Sequence, residues 1–256
     1  MGRLFKIEMK KLWKSTAMRV MLLVSLGLCL FNVVIFALMK NLMDGLDAMG
    51  LGVDGYYAFS TLASQNSDSM MFTVLLIAIL IGGDFSARTL QMQLSAGYSR
   101  FQVIISRYLS TLVAFVIFFI TYLVAYAGGI TLVLGFGRPV TSEVIGELIL
   151  ELLMGLFMSA VILAIYLFIC FLVKSTGASI GISLPFMLVG VTILQTVSFA
   201  FETAETIISF TPFGQQMIIG SSFDALDYVK FFAVGIVWLV GIISLIFVTF
   251  RKAELK

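Results

Sequence analysis

The chain contains no histidine. A Ser-His-Asp or Cys-His nucleophile pair is therefore impossible, and so is histidine-ligated zinc. Cysteine is nearly as scarce. Cys29 and Cys170 are the only two, and each lies inside an apolar run, where a thiol behaves as a small hydrophobe rather than a disulfide partner. No G-x-x-x-x-G-K-[ST] run occurs, which closes the P-loop route to a bound nucleotide. The largest shortage is charge. Only 12% of the 256 residues are charged and 61% are apolar, whereas a soluble domain carries roughly 25% charged and roughly 45–50% apolar residues. A soluble fold could not cover that much apolar surface. The composition predicts an all-α integral membrane protein, not an enzyme, with no metal, no cofactor of its own and no nucleic-acid partner.

Crossing a bilayer takes about 20 largely apolar residues in a helix. Six runs qualify or nearly qualify, at approximately 20–39, 70–83, 103–135, 144–173, 178–199 and 229–250. The second is short, but Gly82 and Gly83 let it continue toward Arg88. The third and fourth are longer than needed, so they must tilt, kink or protrude, and Gly128-Gly129 is the expected kink in the third. No internal repeat divides the chain, so residues 1–256 read as one domain. With both termini in the cytoplasm, the inner side collects Arg3, Lys6, Lys10, Lys11, Lys14, Arg19, Arg88, Arg100, Arg107, Lys174, Arg251, Lys252 and Lys256, 13 of the 16 basic residues. Only Lys40, Arg138 and Lys230 fall outside. That bias is what the positive-inside rule measures. Of the 14 acids, only Glu8, Asp84 and Glu254 fall inside.

Ahead of the first run, Phe5, Met9, Leu12 and Trp13 follow helical spacing, with Lys6, Lys10 and Lys14 on another face. Residues 1–16 are expected to form a helix lying in the inner interface, its tryptophan and lysines at headgroup level. It is either a topogenic anchor or a contact for a partner.

The most informative stretch is the inner loop 84–100, between the second and third spans. Phe85, Thr89, Met92 and Ala96 fit one side of a short helix. Gly97 can end that helix in a left-handed conformation. Ser99 is then placed to cap the third span, which carries Arg100 and Arg107 up to the membrane. The plain alternative is a helical hairpin connection with basic anchors. In Asp84, Thr89, Leu90, Leu94, Gly97, Ser99, Arg100 and Arg107 the chain resembles the membrane subunit of type-2 ATP-binding-cassette exporters, with Arg88 standing where that family usually has glycine and Asp84 where it usually has glutamate. The resemblance extends to six spans, an interfacial N-terminal helix and a long outer segment before the last span. It implies a multi-pass permease of the cytoplasmic membrane acting as a homodimer with two separate ATPase subunits, which bind the ATP and magnesium. It also implies that Asp84, Phe85, Arg88, Thr89, Leu90, Leu94, Gly97, Ser99 and Arg100 form the contact that couples ATP turnover to span movement.

The outer segment 200–228 is too apolar for a solvated loop, yet Pro212 and Gly214 interrupt it. Two short half-buried helices would satisfy its backbone, and the resemblance implies that they re-enter the membrane and roof the pathway. Glu143, Glu147 and Glu151 share one helix face. A helix beginning near Thr141-Ser142 favours the first two, whereas Glu151 lies about 12 Å deeper than Glu143 at 1.5 Å per residue. It is either a vestibule acid or one half of an ion pair with Arg138 or Lys230. Asn32, Tyr122, Glu151, Gln195, Glu202 and Glu205 are the candidate pathway residues. Tyr122 belongs to an aromatic stripe with Phe115, Phe118, Phe119 and Tyr126, a spacing equally suited to packing. Gly177, Ser179, Gly181 and Ser183 permit close helix contact at the start of the fifth span.

An interior so poor in charge suits amphipathic or hydrophobic cargo. Permeases of this size in the family resemble those of bacterial antimicrobial- or toxin-peptide export, immunity and resistance. Peptide cargo is the first expectation, lipid-like antibiotics the second, and a non-transporting sensor or assembly subunit the third. The topology has a direct test. A cysteine placed at Asp47, with Cys29 and Cys170 replaced by serine, is expected to react with a membrane-impermeant maleimide from outside intact cells. Labelling only from the cytosolic side would invert the orientation.

Overall fold

The computed structural model describes residues 2–39, 53–64, 66–87, 89–201, 206–220 and 223–252. Among them there is no strand, and six helices are long and apolar enough to cross a membrane. The chain opens with α1 (Gly2–Lys14) and turns at Ser15, whose hydroxyl accepts from the Met18 amide to cap α2 (Thr16–Leu38). Next come α3 (Gly55–Ser64), α4 (Ser67–Ser86) and the short α5 (Thr89–Ser95). Helix α6 (Arg100–Leu134) and helix α7 (Ser142–Val173) are the longest. They are followed by α8 (Thr176–Pro185, continuing through Phe186–Gly190 into Val191–Ala200), α9 (Pro212–Met217) and α10 (Ala225–Lys252).

Burial decides the layout. In α4 61% of the apolar window is buried, against 11% in α2. Helices α4, α6 and α7 form the centre, and α2, α8 and α10 lie around it. Helix α7 is the hub, packed by α3, α4, α8, α9 and α10. The second span extends to Ser86, as Gly82-Gly83 permitted.

Helix α7 is about 48 Å long at 1.5 Å per residue, well beyond the roughly 30 Å of a hydrocarbon core. The surplus is covered by protein. Helix α3 starts against the end of α6, where the Gly55 and Tyr56 amides donate to the Gly135 and Phe136 carbonyls at 2.9 and 3.0 Å. It then runs along α7 to Asn66, whose Nδ2 donates to Ser159 Oγ at 2.7 Å. Helix α3 was not foreseen from sequence. Its ten residues are too few for a span, and only Gly55, Ala58, Leu62 and Ala63 form its buried side.

The expected kink at Gly128-Gly129 is displaced. The irregularity is a π turn over Leu123–Ala127, and the chain resumes α-helix at Gly128. Gly129 instead lets α2 approach, since a Cβ there would lie 2.7 Å from Val33. The stripe of Phe115, Phe118, Phe119 and Tyr122 is buried in the bundle. Ser179 and Ser183 face inward, while Cβ atoms added at Gly177 and Gly181 would meet nothing within 4 Å. Both cysteines are free and buried.

Close approach of α3 to α7 depends on Gly155, where a Cβ would come within 2.3 Å of the Ala63 carbonyl oxygen. Gly155→Ala is expected to destabilise the protein by roughly 1–3 kcal/mol through overpacking. Gly146→Ala, on the same helix with nothing within 4 Å, is expected to cost nothing. Thermal loss of the monodisperse peak in detergent compares the two.

Candidate functional site at the basic end

The end of the bundle that carries α1 and α5 is rich in lysine and arginine, yet its centre is an electroneutral cluster. Arg107 sits about 10 Å into α6 from Arg100 at 1.5 Å per residue. Its side chain is 4% exposed and forms ion pairs with Glu8 of α1 and Asp84 of α4, each 3% exposed. Lys11, one turn after Glu8, closes the set by pairing with Asp84. Gln93 of α5 donates from Nε2 to Glu8 Oε1 at 3.0 Å. Two acids and two bases thus join α1, α4 and α6, and Gln93 adds α5. In a low-dielectric setting each charge is tolerable only because the others neutralise it.

Apolar packing fixes the helices around that cluster. Leu4, Glu8 and Leu12 form the buried face of α1. The expected face was Phe5, Met9, Leu12 and Trp13; only Leu12 of these is buried, and Trp13 is 57% exposed. Weighting apolar residues alone hid the register, because the middle residue of the true face is an acid. Arg107 is likewise no surface anchor, since its charge is turned inward.

Helix α5 is held by chemistry that its sequence spells out. Gly97 adopts φ +88°, and the Gly97 and Tyr98 amides return to the Leu94 and Gln93 carbonyls. Ser99 Oγ accepts from the Gln102 amide at 3.2 Å, while the Ser99 amide donates to Gln102 Oε1 at 3.0 Å. This reciprocal pair is a capping box. Leu90 is fully buried and Leu94 partly so, whereas Met92 is 61% exposed. The expected face of Phe85, Thr89, Met92 and Ala96 therefore does not exist. Phe85 is in the last turn of α4, edge-to-face with Phe171 at 5.8 Å. Thr89 is half-buried at the start of α5, and Arg88 lies outside the described residues. Arg100 reaches across to the Phe250 and Arg251 carbonyls at the end of α10, where a helix C-terminus favours a cation.

The candidate pathway residues do not converge. Asn32 donates to Leu28 O of its own helix, Tyr122 is buried between helices, Glu202 and Glu205 lie outside the described residues, and of Gln195 only the backbone is described. Glu151 pairs with neither proposed base. Arg138 stacks on the Tyr56 ring at 3.7 Å, and Lys230 donates to Ser209 Oγ at 3.1 Å beside the Phe210 ring. Glu151 Oε2 is buried without a hydrogen-bond partner. Burial, and after it the Glu151 charge, hold the Tyr56 hydroxyl above its ordinary range. Among the described residues no group of three or more Cys, Asp or Glu could hold a metal ion.

Glu8, Lys11 and Gln93 are the site residues that sequence reasoning missed. Their signal was charge balance: Glu8 and Asp84 are two of the only three acids assigned to a strongly basic side. Helix α5 is thereby linked to Glu8, and through Arg107 and Asp84 to two central spans. No model of a known protein family matches the chain, and no curated protein matches it.

Arg107→Leu removes the cation from the buried Glu8 and leaves Asp84 with Lys11 alone, and is expected to cost roughly 3–5 kcal/mol. Combining it with Glu8→Gln and Asp84→Asn should recover most of that loss. Thermal stability of the single and triple variants in detergent measures both effects; an undiminished single variant would mean that the cluster carries no stability.

Proposed function

We propose that the chain is the membrane-spanning subunit of an ATP-driven exporter in the cytoplasmic membrane. A separate ATP-binding-cassette ATPase would bind the basic end, two copies of the chain would form the pathway, and amphipathic cargo, peptide foremost, would leave the cell. The lysine and arginine bias supports a cytoplasmic basic end. The carrying observation is helix α5. Its outer side offers Met92 to a partner, while its inner side is locked by Leu90 and Gln93 to the charge cluster of α1, α4 and α6. A helix so placed turns the closure of a soluble partner into movement of the spans. The low charge of the bundle favours amphipathic over ionic cargo.

The test is co-purification with the ATPase, followed by ATP turnover in proteoliposomes. Met92→Glu is expected to lower complex formation and cargo-stimulated turnover by about tenfold, with thermal stability unchanged, since an exposed substitution alters the fold little. Leu90→Glu should instead destabilise the subunit itself. Complex formation and turnover that are indifferent to Met92→Glu would remove α5 as the docking element.

A further inference from the structure

A second polar centre lies away from the charge cluster, in a cavity of about 220 Å³ between the start of α4, α7, the irregular part of α8, and α9. Its lining includes Asn66, Met70, Tyr166, Met187, Phe213 and Gln216. Pro185 interrupts α8 and a π turn follows at Phe186–Gly190. A proline ring cannot continue regular i→i−4 bonding, and π turns are frequent where helices build sites. The turn aims Met187 inward, 6% exposed, and sets Phe186 edge-on to Tyr166 at 6.1 Å and to Phe213 at 5.7 Å.

The hydrogen-bond inventory identifies what the cavity lacks. Asn66 Nδ2 donates to Ser159 Oγ, and Asn66 Oδ1 accepts from Gln216 Nε2 at 3.1 Å. Ser159 in turn donates to the Gly155 carbonyl at 2.7 Å. These groups satisfy one another. Tyr166 does not share in this: it is 0% exposed, lines the cavity, and its hydroxyl has no partner. A buried hydroxyl without a partner is costly, so the site is built around one donor that calls for one acceptor. Among the described residues no acidic or basic side chain lines the cavity, which disfavours a charged ligand group. Methionine walls adapt to varied apolar shapes.

We propose that this cavity binds a neutral amphiphile through a carbonyl oxygen, ester or amide, that accepts the Tyr166 hydroxyl. By comparison with cavities of about 150 Å³ that hold a benzene ring, the space takes the carbonyl and a short adjoining chain, with the remainder of a longer molecule passing out through the opening. The site stands whether or not the chain serves an exporter.

Four tritiated probes, titrated against the purified full chain in dodecyl maltoside, test it: the neutral diester dilauroylglycerol, its diether counterpart, N-octyldecanamide, and octyl decyl ether. Saturable binding of at least one carbonyl probe is expected, about tenfold tighter than its ether counterpart, as the loss of one buried hydrogen bond predicts. Tyr166→Phe should erase that difference while leaving ether binding and thermal stability unchanged. Met187→Trp should fill the space and abolish all saturable binding. Preference for the diester marks a membrane lipid as the ligand source, and preference for the amide marks a peptide-like one. Ether probes that bind as tightly as carbonyl probes would overturn the site. So would a Tyr166→Phe protein that discriminates as the parent does, or the absence of saturable binding by either carbonyl probe.

Discussion

The burial of Arg107 is the constraint from which the basic end follows. A guanidinium sealed two turns inside a bundle must be neutralised, and here two acids meet it at one nitrogen, Nη1. Glu8 and Asp84 both turn to it, and Lys11 balances the second acid. Because those residues come from different elements, the demand for neutrality fixes how the elements meet. Helix α1 cannot float freely in an interface when its central acid is the counter-ion of α6. Helix α5 is drawn into the same arrangement by Gln93, and α10 is tied nearby through Arg100.

The opposite end solves a different problem. Helices α6 and α7 are too long for a hydrocarbon core, and their excess would be exposed if nothing covered it. The chain supplies α3 and α9 as covers, both short and both packed on α7. Their polar backbone is satisfied locally: Gly55 and Tyr56 bond the end of α6, and Thr211 caps α9 through the Gly214 amide. Here the side chains that bond one another in the interior are the neutral amides and hydroxyls of Asn66, Ser159 and Gln216, Glu151 is the acid with a buried, unpartnered oxygen, and the bases are turned to other uses. Arg138 stacks on an aromatic ring and Lys230 bonds a serine.

These differences explain what was legible in the sequence. The six long helices were, because a span must carry its hydropathy in one continuous run. So were Gly97 and Ser99, whose turn and cap depend on residues within three or four positions. The buried face of α1 was not, since its register is set by Glu8 finding Arg107, a pairing across 99 residues. Helix α3 escaped because ten residues fall below any membrane threshold, and its burial comes from α7 rather than from its own periodicity. Of the two readings of Glu151, the ion pair fails for a related reason. Sequence depth brought Arg138 and Lys230 into range, but each had a nearer partner that only packing reveals.

The two ends therefore differ in how firmly they are held, and this bears on where movement can occur. Ion pairs tie α1 to the near ends of α4 and α6 at the basic end, and a hydrogen bond adds α5. Helix α8 has no comparable tie. Only 18% of its apolar window is buried, Pro185 breaks its hydrogen-bond ladder, and its inward contacts are serines, Met187 and ring edges. Helix α8 nevertheless packs closely on α4, the span that carries Asp84. Through Met187 and Thr192, α8 also walls the Tyr166 cavity, so α4 and α8 together are the physical connection between the charge cluster and the neutral polar centre.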